Sequence, residues 1–214
     1  MIHFVCFATN KYRVLAERLR DRLKEHYRGV YRLHVFTEEP MPGVIWHVRH
    51  HQSWLEAIRD RFAAMATLEV IEEQDHAFLI DADTELRRDV TAEMLTGETV
   101  VLEHFRNKEM CEKNSFNYAR QPSAAYVPAD TPLPKAYYHC CFGGGRWGVM
   151  RPIYAELAAR YRRDVSFGIE PVWNDESHWN YYFHYHPPAR VLAWPSQCPF
   201  KISDKAGIKD IRRA

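Results

Sequence analysis

The sequence predicts an α/β fold, a mixed central sheet flanked by helices, on three observations. Short apolar runs bounded by polar or turn residues recur along the chain, as buried strands do. Segments with apolar residues at helical spacing separate those runs. The length, 214 residues of which 46% are hydrophobic, suffices for one sizeable core but not for two ordinary domains. Residues 1–214 are therefore expected to form a single domain, with a basic tail at 199–214 expected to be mobile.

Taken in order, residues 2–8 (Ile-His-Phe-Val-Cys-Phe-Ala) form the first expected strand. Asn10 is placed to cap a helix whose inward stripe is Val14, Leu15, Leu19 and Leu23, with Arg18, Arg20, Asp21 and Lys24 solvated. Gly29 is expected to stop it, and residues 31–36 read as the second strand. Pro40, Pro42 and Gly43 break the chain before a short strand at 44–48. A second helix is expected over 53–72, turning Trp54, Ile58, Phe62, Met65 and Leu68 inward. Residues 76–80 (His-Ala-Phe-Leu-Ile) are a short apolar strand running into Asp81-Ala82-Asp83. Pro and polar residues accumulate over 107–134, as in a long loop. An aromatic strand then leads into three glycines at 143–145, residues 150–163 read as helix, and the segment after Pro171 turns helical from Asp175.

A formal charge of +1 removes the basic field that a general nucleic-acid binder needs. No apolar run reaches membrane-span length, and the first one lacks a basic flank and a cleavage site. A cytoplasmic protein without an integral membrane segment is expected, with peripheral contact to the inner face of a membrane left open. Five cysteines (Cys6, Cys111, Cys140, Cys141, Cys198) are an odd count with irregular spacing, which argues against a disulfide framework or a zinc site.

Three constellations carry chemistry. Asp81 and Asp83 stand one residue apart beyond a buried strand, and the carboxyl ends of strands are where open α/β sheets bind ligands. Two such carboxylates suffice for a hard divalent cation when phosphates and water supply the other oxygens. They could equally be solvated acids at a strand end. Asp175 and Glu176 are adjacent acids at a helix start, where one could hold a sugar hydroxyl while the other faces an oxocarbenium-like carbon; the helix dipole alone also favours acids there. The run 137–145 (Tyr-Tyr-His-Cys-Cys-Phe-Gly-Gly-Gly) indicates close backbone approach, by a ligand or by a neighbour. Its glycines lack the spacing of a P-loop or a dinucleotide fingerprint.

In this order the segments resemble glycosyltransferase family 6, which includes the ABO blood-group transferases, the α-1,3-galactosyltransferases and shorter bacterial relatives. The residues carrying the resemblance are Phe7-Ala-Thr-Asn-Lys-Tyr12, Val35-Phe-Thr37, Tyr126-Val-Pro128, Tyr137-Tyr-His139 through Phe142-Gly-Gly, and Glu170-Pro-Val-Trp-Asn-Asp-Glu-Ser-His-Trp-Asn180. The match runs from the first strand to about Leu192, and its last motif is long and specific. The resemblance implies a GT-A type nucleotide-sugar-binding fold and a retaining transferase that moves galactose or N-acetylgalactosamine in α-1,3 linkage. The donor would be UDP-galactose or UDP-N-acetylgalactosamine, and the acceptor an oligosaccharide or glycolipid ending in a galactoside, with a fucosyl-galactose end as the family analogue.

On the same resemblance, Phe7, Ala8 and Tyr12 would line the uracil pocket. Asp81 and Asp83 would hold Mn²⁺ and the pyrophosphate, with Ala82 between them at the donor. Arg61 would bond the donor sugar and pyrophosphate region, and Asp175 the sugar hydroxyls. Glu176 would sit beneath the anomeric carbon as nucleophile or charge stabiliser. Trp173 and Asn174, with Glu176, would border the acceptor. Some bacterial relatives carry asparagines in place of both aspartates and dispense with metal; this chain keeps Asp81 and Asp83, so metal dependence is expected. His139, Cys140 and Cys141 occupy the positions that face the donor's 2-substituent. Cysteine takes more room than the glycine of versions that admit an acetamido group, so galactose is expected to fit better.

Departures are Asn174 for the usual histidine, Trp179 for leucine and Tyr181 for lysine. The basic residues Lys201, Lys205, Lys209, Arg212 and Arg213 do not reproduce the mammalian tail spacing, though a role in closing over the pyrophosphate stays open. Two other classes stay open: a nucleotide-sugar or glycan-binding relative without turnover, and a metal hydrolase using Asp81, Asp83 and the histidines His47, His50 and His51. For the three histidines a solvated approach to the second helix is the simpler expectation.

Overall fold

In the computed structural model the described residues are 1–112, 122–128, 131–132 and 136–202. A seven-stranded sheet is built from β1 (Ile2–Phe7), β2 (Tyr31–Thr37), β3 (Ile45–Val48), β4 (His76–Ile80), β6 (Val100–Glu103), β7 (Tyr138–Arg146) and β8 (Arg190–Leu192). Its order is β3-β2-β1-β4-β7-β6-β8. The first four are mutually parallel, β7 runs antiparallel to β4 and β6, and β8 is parallel to β6. The expected mixed sheet is therefore present. A separate pair joins β5 (Thr84–Leu86) to β9 (Phe200–Ile202).

Alternation along the strands sorts the helices. Phe4 and Cys6 of β1 and Phe78 and Ile80 of β4 pack with Leu15, Leu19 and Leu23 of α1 (Arg13–His26). The intervening Val5, Ala77 and Leu79 face the opposite layer. That layer holds Phe62 and Met65 of α2 (Trp54–Ala66), Tyr154 and Leu157 of α4 (Trp147–Ser166), and Trp179 and Phe183 of α5 (Asp175–Tyr185). Strand order reverses around β1, because β2 lies on one side of it and β4 on the other. Such a switch point opens a crevice beyond the carboxyl ends of the two strands, here after Phe7 and Ile80.

Several local expectations need correction. Val14 is 50% exposed and Ala16 takes its inward place. Asn10 caps nothing; it sits in a short 3-10 turn at φ 57°, a conformation asparagine tolerates. Its amide donates to Glu38 and its side chain to the carbonyl of His51. The first helix stops at Tyr27 rather than at Gly29. The second ends at Ala66, six residues before the expected 72, and Trp54 at its start is 51% exposed. The stretch expected to be all loop contains α3 (Asn107–Glu112). The tail expected to be mobile from 199 instead contributes strand β9 at 200–202; residues 203–214, with Lys205, Lys209, Arg212 and Arg213, lie outside the described residues, as does the side chain of Lys201.

The glycine run answers to neighbours. A Cβ on Gly144 would lie 2.0 Å from the Ala77 carbonyl oxygen, and one on Gly143 would lie 2.3 Å from the Trp179 indole. Both positions exclude a side chain because β4 and α5 pack directly on β7.

Three parallel strands also align a chain of histidines. His3 Nε2 meets Asp75 Oδ2 at 3.2 Å, His3 Nδ1 meets His34 Nε2 at 2.9 Å, and His34 Nδ1 meets His47 Nε2 at 2.9 Å. Since the carboxylate only accepts, each imidazole carries its proton on Nε2 and the next ring donates to its Nδ1. His47 and His51 are therefore not a solvated approach: His47 belongs to this chain, while the buried His51 bonds Thr9 and Asp60.

Burial pulls His34 down to about 3, with the His3 and His47 rings adding to the effect, and burial likewise lowers His3 and His47. The unfolded chain then binds protons that the fold refuses. The stability this chain contributes is whole above pH 6.5 and lost as pH falls toward 3. Melting temperature is expected to drop steeply below pH 6. In His34→Leu the slope should flatten by about 1.4 kcal/mol per pH unit; an unchanged slope in parallel pH melts would refute this account.

Candidate active site

The crevice at the switch point is lined by Phe7, Thr9, Asn10, Tyr12, Trp54, Ala57, Ile58, Arg61, Asp81, Ala82 and Asp83. It continues into a groove of about 580 Å³ bordered by Asn10, Lys11, Tyr12, Gln52, Ser53 and Trp54. The elements explain the arrangement. The turn after β1 delivers Thr9, Asn10 and Tyr12, the end of β4 delivers Asp81 to Asp83, and α2 lays Trp54, Ala57, Ile58 and Arg61 along one face at helical spacing. Ser53 caps that helix by accepting the Glu56 amide at 3.2 Å.

Phe7 stacks on Phe36 at 4.5 Å with parallel planes, so one flat wall is preset. Ala8 departs from expectation: it is fully buried, its amide bonds the Phe36 carbonyl, and its side chain packs in the core rather than lining the crevice. Trp54 supplies what the helical stripe concealed. Being the first residue of α2, it precedes the part of the helix that the core covers, and its indole faces the crevice.

Arg61 is the hub. It is 5% exposed. Its Nη1 donates to Asp81 Oδ1 at 2.8 Å, and its Nη2 to the carbonyl oxygen and the sulfur of Cys140 at 3.2 and 2.9 Å. The same Nη2 forms an ion pair with Asp175. One guanidinium thus ties the end of β4 to the start of β7 and of α5. Asp175 is raised to about 7 by burial, an effect that Arg61 opposes and the Asp81 and Glu176 carboxylates reinforce.

Glu176 is half-buried at the start of α5. Its Oε1 accepts the Tyr137 hydroxyl at 2.8 Å, and its Oε2 accepts the Cys140 amide at 3.0 Å. Burial raises its pKa, against the influence of His104, the Cys140 amide and the Tyr137 hydroxyl. His139 stands 3.5 Å from Oε2 and is held neutral, its pKa pulled down to about 4 mainly by burial. Its Nδ1 accepts the Cys141 amide at 3.1 Å. The Cys140 side chain lies under Arg61 and Asp175 and is 3% exposed. Cys141 is buried too, and its thiol is pushed well up by burial, with Asp81, Asp83 and Glu176 contributing. Of the three residues at 139–141, His139 alone is more than one-tenth exposed.

The start of α5 is fixed from several sides. Asn174 takes φ 51° immediately before the helix. Ser177 Oγ accepts the Trp173 amide at 3.1 Å. Asn180 pairs with β7 as a strand would, accepting the Tyr138 amide at 2.7 Å and donating to the Tyr138 carbonyl at 2.8 Å. Trp173 is 46% exposed beside this turn. Behind the helix, Asp164 accepts the Ser123 hydroxyl and the Ala124 amide and stands 3.4 Å from His178.

A family model described as "Glycosyltransferase family 6" matches residues 5–214. The chain belongs to glycosyltransferase family 6. Similar curated proteins include Histo-blood group ABO system transferase 2 of Rattus norvegicus, 28% identical over 211 residues that cover 90% of this chain and 61% of the relative. Globoside alpha-1,3-N-acetylgalactosaminyltransferase 1 of Gallus gallus is 28% identical over 213 residues, covering 90% and 60%. Alpha-1,3-galactosyltransferase 2 of Homo sapiens is 39% identical over 62 residues, 29% of this chain and 18% of the relative. The chain spans about 60% of the length of the first two. The seven-stranded mixed sheet flanked by helices agrees with the GT-A-like fold of a family 6 glycosyltransferase domain.

Sequence reasoning missed Trp54, His104, Tyr137 as the partner of Glu176, and Asn180 as a strand substitute. Tyr137 and Asn180 stood inside the motifs already quoted, and an asparagine four residues after Glu176 is on the same helix face. His104 gave no local signal. Among the described residues no helix is long and apolar enough to cross a membrane.

Proposed function

We propose that this family 6 chain is a metal-dependent, retaining hexosyltransferase that moves galactose from UDP-galactose in α-1,3 linkage to a fucosylated galactoside acceptor. UDP-N-acetylgalactosamine is the alternative donor. The observation that carries the reading is the convergence, through Arg61, of the Asp81 and Asp83 turn with Asp175, and the placing of Glu176 one residue further along α5.

The uracil ring is assigned to Phe7, Tyr12 and Trp54, whose faces suit a nucleobase. Asp81 and Asp83 fit a hard divalent cation. Both border the crevice, one residue apart just beyond the end of β4. Such an ion, Mn²⁺ in this proposal, would stabilise negative charge on the departing diphosphate. Arg61 orients Asp81 and the sugar-facing Asp175. Glu176, fixed by Tyr137 and the Cys140 amide, presents a carboxylate to the positive charge that develops at the anomeric carbon, as nucleophile or as stabiliser. Trp173 and Asn174 border the acceptor. His139 is the residue of 139–141 that meets the donor's 2-substituent, with Cys141 narrowing the wall behind it; this favours galactose.

The test is UDP release from UDP-galactose and from UDP-N-acetylgalactosamine, each with Mn²⁺ and with EDTA, using fucosyl-lactose as acceptor and water as control. Release that needs both Mn²⁺ and acceptor, and is faster with UDP-galactose, is expected. Release indifferent to EDTA would remove the metal role of Asp81 and Asp83. Binding of UDP without release from either donor would turn the reading to a binding protein.

A further inference from the structure

The connection between α4 and α5 is firmly hydrogen-bonded and yet presents apolar side chains to solvent. Val165 and Phe167 stand at the end of α4, Val172 and Trp173 just before α5, and all four are exposed, Phe167 to 70% and Val172 to 57%. Fraying does not account for this. The Gly168 amide bonds the Val165 carbonyl at 3.0 Å and the Ile169 amide the Asp164 carbonyl at 2.9 Å, with Gly168 at φ 68°. That pairing closes the helix as a Schellman turn. Further along, Glu170 accepts Arg59 Nε at 3.0 Å and the Tyr161 hydroxyl, and the Asn174 amide bonds the Pro171 carbonyl at 3.0 Å. Large apolar groups held in water on a fixed backbone mark a contact surface.

Charge indicates what that surface meets. Arg162 and Arg163 are both exposed, and helical spacing sets Arg162 beside Val165 and Arg163 beside Phe167. Arg162 Nε donates to the Ala158 carbonyl at 3.3 Å, and among the described residues neither guanidinium meets a carboxylate. The two acids of this stretch are already committed: Asp164 is buried, and Glu170 is held by Arg59. Exposed apolar groups therefore stand beside positive charge that the fold does not neutralise.

We propose that this face docks on an anionic phospholipid bilayer, with Val165 and Phe167 entering the headgroup region and Arg162 and Arg163 meeting lipid phosphates. A second copy of the chain is a poorer occupant. A two-fold contact sets the same patch against itself, and Arg162 and Arg163 would then face their own counterparts with no acid to offset them. The connection runs on through Trp173 and Asn174 to the first turn of α5, which carries Glu176. A docked bilayer would thus lie on the side where the acceptor is placed, and the acceptor would be a glycolipid. That consequence rests on the proposed function; the docking itself does not.

Cosedimentation of the full chain with vesicles of phosphatidylglycerol and phosphatidylcholine, and with phosphatidylcholine alone, tests the docking. Binding to the mixed vesicles is expected to be at least tenfold stronger than to the neutral ones, and to weaken in about 0.5 M salt. Arg162→Gln and Arg163→Gln are each expected to weaken it roughly fivefold, and Phe167→Ser at least fivefold. These side chains are exposed, so melting curves should be unchanged, as should UDP release with a free oligosaccharide acceptor. Absence of binding to the mixed vesicles, or binding undiminished in all three variants, overturns the proposal. A dimer that Phe167→Ser dissociates, without vesicle binding, gives the face to a second copy and overturns it equally. A chain that binds mixed vesicles in this way but transfers no sugar supports the docking face and counts against the transferase reading instead.

Discussion

Glu176→Gln is expected to lower sugar transfer by about 10²–10⁴, the range typical of a group that acts on the reacting centre, while UDP binding and melting temperature hold. The amide keeps the shape of the carboxylate. Its oxygen can accept the Cys140 amide, and its nitrogen can donate to the Tyr137 oxygen, whose hydroxyl rotates to suit. Only the negative charge is lost. Stability should not fall with it. Burial raises the pKa of Glu176 above its unfolded value, so the ionised form is disfavoured by the fold at neutral pH. Removing that charge therefore leaves the melting temperature level or higher. Steady-state transfer, UDP titration and thermal melts on one preparation separate the cases. A loss of transfer matched by a loss of stability would make Glu176 structural, and full transfer would end its catalytic assignment.

The second large effect concerns Arg61. Arg61→Leu is expected to cost roughly 3–5 kcal/mol, as breaking a buried ion pair does when one charge is left behind. For a chain of this size that corresponds to a melting temperature lower by about 10 °C. Asp175, 4% exposed, loses its counter-charge, and Asp81 loses its donor. The pH dependence identifies the cause. Asp175 already titrates near 7 because of burial, and without Arg61 its pKa rises further. A native group with a raised pKa binds protons that the unfolded chain does not, so the variant regains stability as pH falls through that value. The deficit should be larger at pH 8 than at pH 5.5. Equal deficits at the two pH values would mean that lost packing, not the unpaired carboxylate, sets the cost. UDP release should also fall in this variant, since Asp81 and Asp175 lose their common anchor.

Both effects centre on residues that stand far apart in the chain, and this marks what could be read from the sequence. The strand runs at 2–8, 31–36 and 76–80 were legible to within a residue because alternate residues must serve two apolar layers, and Phe4 against Val5 or Phe78 against Leu79 do so. The motif order placed Asp81, Asp83, Asp175 and Glu176 at element ends, where the structure has them. The glycines at 143–145 were read as close approach, and only the packed structure supplied the partners, Ala77 and Trp179. Helix limits were less legible, because propensity alone cannot say where the core stops covering an apolar stripe. Val14 and Trp54 are apolar at helical spacing and still lie outside it.

By itself the sequence determined a layered α/β fold with acids at the ends of two of its elements, since periodicity and motif order are local properties of the chain. The tertiary structure decided which groups meet. Arg61 reaches Asp81, Cys140 and Asp175 only because β4 and β7 pair in the register that sets Ile80 beside Phe142. His104 reaches Glu176 only because β6 ends level with His139. Strand register and helix packing are set by long-range burial, and no short window of sequence contains both partners of such a contact.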